Sequence, residues 1–383
     1  MLAAKGVFVN SPRNVTLACQ KIAAADRAGR GLRAAALLLF VMFALGACQK
    51  DGQSRQEPAS PGVSAGAAPQ FKWKMQSLWQ AGSINHKVFE KFCQRVGQAT
   101  GGRLEITPLP VGAVVAYNET LDAVGSGVLD GQQSGAAYFA GKDPGFMLLT
   151  EFPGGYETPW QMQAWFEYGG GKELARELYA KFNLFYVGSS WHGMESIPSK
   201  RPLRGVDDLK GLKIRIPEGP NQEIFKEFGA APVNIPGSEV YTSLERGVID
   251  ATDWGTLGMN VDLGYQKIAP YQIFPGFHSL PMSDVAVNLD RWNELPADIQ
   301  TILEMAVRDF ARDMIEQMSL ADSEAARKAT SEGTQLVTWD AAERRKFRQT
   351  AARILEGVAQ RGPLARKIYD SHVAFLRKLG LLD

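Results

Sequence analysis

Residues 119–130, ETLDAVGSGVLD, and residues 239–250, EVYTSLERGVID, are two versions of one phrase, set 120 positions apart. Each opens with apolar residues three apart, Leu121 and Val124 or Tyr241 and Leu244, the spacing of one face of a short helix. Each helix runs into a glycine, Gly127 or Gly247, which suits the left-handed position past a helix end because it carries no Cβ. A short apolar pair and an aspartate follow, predicting that a buried strand begins there. Both strands run on into polar residues: Gln132, Gln133 and Ser134 in the first copy, Thr252, Asp253 and Trp254 in the second. Open α/β sheets bind ligands beyond the carboxyl ends of their strands. Two such units predict an α/β protein of two lobes whose strand ends face each other across a cleft.

The flanking sequence supplies the rest of each unit. Phe71–Trp79 alternates as a strand. His86–Ala99 carries Val88, Phe89, Phe92 and Val96 on one helical face and stops at Gly101-Gly102. Leu104–Leu109 is the next strand, completing a βαβ signal. Helix is expected over Trp160–Phe182, and a buried strand over Leu184–Trp191 that crosses to the second lobe. Leu212–Pro217, Pro232–Ile235, Tyr271–Phe274 and Asp284–Leu289 read as strands, and Asn221–Phe228 as a helix. From Leu295 to about Thr330 an apolar stripe (Ile299, Leu303, Val307, Phe310, Met314, Met318) persists without Gly or Pro. Such a helix, about 50 Å long at 1.5 Å per residue, is expected to brace both lobes. Two further helices fall at 340–360 and 364–379. The expected division is residues 71–188 as the first lobe, completed by 282–383, and 189–281 as the second.

The amino-terminal end carries Lys5, Arg13, Lys21, Arg27, Arg30 and Arg33 with Asp26 as its lone acid, then an apolar run from Ala34 to Ala47. That run has the length of a signal-peptide core and is short for a bilayer span. It ends Leu45-Gly46-Ala47-Cys48, the pattern read by bacterial lipoprotein processing. Residues 1–47 are therefore expected to be a lipoprotein signal and Cys48 a lipidated amino terminus outside the inner membrane. Residues 48–70, rich in Gly, Pro, Ser, Ala and Gln, have the composition of a flexible tether. With Cys19 removed and Cys48 lipidated, Cys93 remains alone, which excludes a disulfide within the body and a cysteine-rich metal site. A net charge of +1 with no basic stripe gives no sign of nucleic-acid binding.

Four segments carry a family resemblance over nearly all of residues 71–383: Val96–Ile106 (VGQATGGRLEI), Leu209–Pro217 (LKGLKIRIP), Ser243–Trp254 (SLERGVIDATDW) and Ala269–Gly276 (APYQIFPG). They resemble the solute-binding receptors of tripartite ATP-independent periplasmic (TRAP) transporters, the DctP type, and the last two are similar to the branch that binds 2-oxo acids. The resemblance implies a two-lobed periplasmic-binding-protein-like fold that closes over a small organic anion. It also implies a partner permease of a small and a large membrane subunit, driven by a sodium gradient.

Arg215 alternates along its strand with Ile214 and Ile216. A cleft arginine presents a planar fork that matches a carboxylate through two parallel hydrogen bonds; an ion pair with Glu218 is the other use for it. The resemblance marks Arg215 as the carboxylate clamp. It also implies that Asp253 and Trp254 stand where the branch has Glu-Trp holding a sodium ion, here one methylene shorter. In the branch, a glutamine falls within the segment Trp191–Met194, where this chain shows Gly193. A second glutamate follows the PYQIFPG segment, where it shows His278-Ser279. Two side-chain oxygens are thus expected to be missing. Direct contacts from Arg215, His192 or His278 are expected in place of a sodium or calcium ion, with Asp253 and the Trp254 carbonyl the remnant of the metal site. Capping a following helix is the alternative for Asp253. Trp79 and Tyr138 are expected to wall the pocket, with Gln133 beside them.

Rival readings are a receptor of an ATP-driven importer, a sensory ligand-binding lipoprotein and a lipoprotein hydrolase. Gly188-Ser-Ser lacks the glycine that closes a nucleophile elbow. Metalloprotease and phosphate-loop motifs are absent from the sequence.

Overall fold

The computed structural model describes residues 70–382; the expected signal, Cys48 and the tether up to residue 69 lie outside the described residues. Eleven strands are described: β1 Phe71–Ser77, β2 Leu104–Leu109, β3 Gly131–Gly135, β4 Leu184–Trp191, β5 Ile197–Ser199, β6 Lys213–Arg215, β7 Ala231–Val233, β8 Ala251–Thr252, β9 Tyr271–Ile273, β10 Met282–Asn288 and β11 Gln335–Val337. They form two sheets, ordered β2-β1-β3-β10-β4 and β11-β9-β5-β8-β6-β7. In the first, β1 runs parallel to β2 and β3, and β10 is antiparallel between β3 and β4. In the second, β6 runs parallel to β7 and β8.

The repeated phrase builds the same joint twice. Its helices are Thr120–Gly125 and Val240–Glu245, and Gly127 and Gly247 follow with φ of 79° and 74°. The aspartate then locks the unit to the strand beside it. Asp130 N–H donates to the Lys74 carbonyl (3.0 Å) and its carboxylate accepts the Lys74 N–H (2.8 Å). Asp250 repeats this on Lys213, at 2.7 and 3.4 Å. These brackets displace the strand starts from their expected place. Leu129 and Ile249 are buried, but Val128 and Val248 face solvent, and the ladders begin only at Gly131 and Ala251.

The helix expected over Trp160–Phe182 is two helices, Pro159–Tyr168 and Gly171–Ala180. Gly170 turns the chain at φ 90°, and a Cβ on Gly169 or Gly171 would run into the Trp165 ring.

The long helix spans Ala297–Ser331. Its buried stripe from Ile299 to Met318 packs with helix Ile84–Ala99 on one face of the first sheet. Further along it meets helix Leu257–Asp262, where Asp322 accepts the Gly258 N–H at 2.7 Å. It then delivers β11 to the second sheet beside β9. Residues 282–383 were expected to complete the first lobe, and β10 joins the first sheet, but residues 335–337 belong to the second. A helix of this length reaches past the first sheet before the chain turns. A Cβ on Gly258 would lie 2.9 Å from the Ala321 backbone. Gly258→Leu is therefore expected to lower stability by about 1–3 kcal/mol, the usual cost of forcing extra volume into a packed contact. The readout is the urea midpoint at constant slope; a midpoint equal to that of the parent would show that the contact does not brace the fold.

Candidate functional site

The chain passes between the sheets at residues 192–196, after β4, and 274–281, before β10. These crossings and the carboxyl ends of β6 and β8 surround a cavity of about 90 Å³. Trp79, Tyr138, His192, Arg215, Asp253 and Trp254 all line it. A wider chamber of about 380 Å³ adjoins it across Tyr138, Arg215 and Trp254, bounded by Val111, Tyr117 and Pro236.

Arg215 is only 5 % exposed, and its fork is held by backbone. Nε donates to the Ile235 carbonyl at 3.0 Å and Nη1 to the Asp253 carbonyl at 2.5 Å. The guanidinium lies over the Trp254 ring, 5.1 Å from its centre. The alternative pairing with Glu218 is absent, and no carboxylate among the described residues forms an ion pair with Arg215. A buried guanidinium without a counter-ion is costly unless something supplies one.

The same cavity wall holds a set of acids, two of which the sequence reading passed over. Glu151 directly follows helix Gly145–Thr150; Glu195 lies in the first crossing. Asn221 Nδ2 donates to Glu151 Oε1 at 2.8 Å. Ser279 Oγ lies 3.0 Å from Glu151 Oε2 and 2.6 Å from Glu195 Oε2. A hydroxyl has one hydrogen, so Ser279 donates to one of these two carboxyls and accepts from the other, which carries a proton. That proton belongs on Glu151: burial, then the charges of Glu195 and Asp253, push its pKa well above the usual range. Glu195 is pulled the other way. Burial works to raise it, but His192 at 3.3 Å, with Asp253 and Ser279, outweighs burial and holds it at about 2. Asp253 is pushed up to about 6 by burial and by Glu195, against the pull of His278.

Asp253 does not cap the next helix; Thr256 holds that position. His278 does not reach the cavity wall. It is fully buried behind Asp253, with Nε2 3.2 Å from Oδ1, and so orients the acid. Gln133 is also outside the wall. It sits inside β3 with both amide ends unpartnered, because the strand continues to Gly135 before the chain reaches the cavity. Trp79 meets His192 edge-on at 5.4 Å, and Tyr138 meets Tyr117 at 4.6 Å.

The donors fit a cation better than the sequence reading allowed. Ligand atoms of Glu195, Asp253 and His278 lie within 4.8 Å of one another. Glu195 supplies the carboxylate oxygen that Gly193 cannot, and with the adjacent Asp253 carboxyl it offers oxygen ligands to a hard cation.

Residues 75–361 match the family described as bacterial extracellular solute-binding protein, family 7 (DctP). The chain belongs to that family. It is 32% identical, over 83% of its own length and 87% of the other's, to the monocarboxylate 2-oxoacid-binding periplasmic protein of a Nostoc species. A TRAP periplasmic solute-binding protein from Rhodobacter sphaeroides, solved in an apo open state, is 40% identical with a TM-score of 0.71, covering 81% of this chain and 99% of that one. One from Colwellia psychrerythraea, solved with bound calcium and pyruvate, is 29% identical with a TM-score of 0.73, covering 81% and 95%. The two sheets and the cavity between them are thus the two-lobed architecture of a periplasmic solute receptor. Among the described residues no helix is long and apolar enough to cross a membrane.

Proposed function

We propose that this receptor captures a small organic acid of the 2-oxo-acid class in the inter-sheet cavity and hands it to the small and large membrane subunits of a sodium-driven TRAP permease. The observation that carries this is Arg215: buried, fixed by two backbone carbonyls, facing the cavity and lacking any acidic partner. A ligand carboxylate is the missing counter-ion. The oxo oxygen next to it is an acceptor and would face the acceptors of Glu195 and Asp253. A sodium or calcium ion held by those carboxylates, with the Trp254 carbonyl, would reconcile them. This revises the expectation that direct contacts replace the ion. The wider chamber beyond Tyr138 and Trp254 has room for the uncharged tail of a longer acid. The lobes are taken as residues 71–188 with 282–383, apart from β11, and residues 189–281. Cys48 is taken as the lipid anchor that holds the body at a bacterial membrane.

The receptor is not an enzyme in this reading. Ser279 contacts carboxylates, and His192 lies beyond Glu195, so no imidazole activates the hydroxyl as catalysis by serine requires. Ser189 sits within β4, not on a strained turn. The test is titration calorimetry with pyruvate and longer 2-oxo acids, in sodium or calcium and in choline chloride with chelator. One acid per chain is expected to bind with the cation, and at least tenfold more weakly without it, about 1.4 kcal/mol. Equal affinity without cation would remove the ion from the site. No binding in any salt would remove the 2-oxo-acid assignment.

A further inference from the structure

The cavity wall that holds Arg215 also carries several carboxyls. Besides the carboxyls of Glu151, Glu195 and Asp253, the wall includes Asn221 and Thr150, both at least 96 % buried, whose Oδ1 and Oγ1 have no partner. Buried polar atoms without partners are uncommon in native proteins, and a group of them on one cavity wall points to a missing ligand. The charges agree. One fixed cation, Arg215, stands near the carboxyls of Glu195 and Asp253, and an incoming carboxylate adds further negative charge. The complex needs positive charge and N–H or O–H donors on the acidic side.

We propose that the receptor also binds α-amino acids, with the ligand ammonium group taking the part played by the metal ion in 2-oxo-acid binding. This rests on the organic-acid reading of the same site. An α-ammonium group provides one positive charge and three donors, which can be shared among Glu195, Glu151 and Asn221 Oδ1. It is attached to the carbon next to the carboxylate, as the oxo oxygen is in a 2-oxo acid. The acidic cluster also lies next to the clamp: Asp253 gives Arg215 its carbonyl, and its own carboxyl lies beside Glu195. An oxo acid is an acceptor at that carbon and needs a cation between itself and the cluster. An amino acid of the same skeleton carries its cation covalently. With sodium, the two ligand classes present the pocket with the same sum of charges, and they differ in whether the positive centre comes from solution.

Matched pairs test this: pyruvate against L-alanine, and 4-methyl-2-oxopentanoate against L-leucine. Each is titrated into the receptor body in sodium chloride, in calcium chloride, and in choline chloride with chelator. The expected result is that an amino acid binds in choline with chelator, with affinity within about tenfold of its oxo partner in the preferred cation. Added sodium or calcium should leave amino-acid binding unchanged or weaken it. Glu195→Gln should weaken the amino acid at least tenfold, and circular dichroism and thermal unfolding of the variant check that it folds. If the oxo acids bind with cation and neither amino acid displaces them at millimolar concentration, the ammonium proposal is wrong and the organic-acid reading stands. If amino acids bind and oxo acids do not, the proposal is supported and the 2-oxo assignment fails. If neither class binds, both fail.

Discussion

Arg215→Lys is expected to weaken binding of the organic acid by roughly 10- to 1,000-fold, about 1.5–3 kcal/mol per charge-assisted hydrogen bond lost. The substitution keeps the charge, so the loss measures geometry. In the native site Nε and Nη1 are committed to the carbonyls of Ile235 and Asp253, which fix the plane of the fork and leave its remaining donors to the cavity. Lysine has one compact ammonium group. To meet the ligand it must give up the backbone carbonyls, and to keep those it must leave the ligand. It also loses the flat face that lies over Trp254. Glu218→Gln is the control, because Glu218 lines the same cavity without pairing to Arg215; its affinity should stay within about twofold, roughly 0.4 kcal/mol. Titration calorimetry on the three proteins decides the matter. Equal affinities for the parent and Arg215→Lys would take Arg215 out of the site.

The sequence was legible where local rules act alone. Leu104–Leu109 and Leu184–Trp191 form strands with the expected bounds, and Gly127 and Gly247 take the left-handed turn expected of them. It was less legible where a distant side chain decides. Nothing local to residues 128–130 shows that Asp130 will bracket Lys74 and delay the strand. The acids were missed for the same reason. Glu151 owes its burial to Asn221 and Ser279, and Glu195 owes its ionised state to a network that also includes Asp253. Glu151 did leave a trace, as the only acid in the apolar run Gly145–Phe152, and Glu195 stands three residues after His192. Weighing those positions would have added both acids to the candidate site. His278 was placed in the right neighbourhood with the wrong task, since proximity to a strand end does not reveal which of two residues stands in front.

Ligand-free receptor is expected to lose stability as the pH rises from about 5 to 8, and Asp284→Asn is expected to remove much of that loss. Asp284 lies in β10, an interior strand of the first sheet between β3 and β4, and is fully buried. It accepts from Tyr179 Oη at 2.5 Å and from Gln132 Nε2 at 2.9 Å. No cation among the described residues pairs with it, and burial outweighs those bonds and pushes its pKa up to about 7. A carboxyl with a folded pKa above its unfolded value of about 3.9 binds its proton more tightly in the folded chain. Its contribution is therefore fully present below about pH 4 and is lost as the pH climbs through about 7. At about 1.4 kcal/mol per unit, the whole effect is on the order of 4 kcal/mol. Asp253, pushed up to about 6, and Glu151 add losses of the same sign, while His372, held down to about 3 by burial, and His86 add gains up to about pH 6.5, so the parent protein alone cannot apportion them. Asp284→Asn separates its share. The amide is neutral at every pH, still accepts from Tyr179, and can donate to Gln132 Oε1, which has no partner in the native core. Urea midpoints at pH 5, 6, 7 and 8 should converge at low pH and separate at high pH, with the variant the more stable at pH 8. Parallel curves for the two proteins would show that Asp284 does not change protonation across this range.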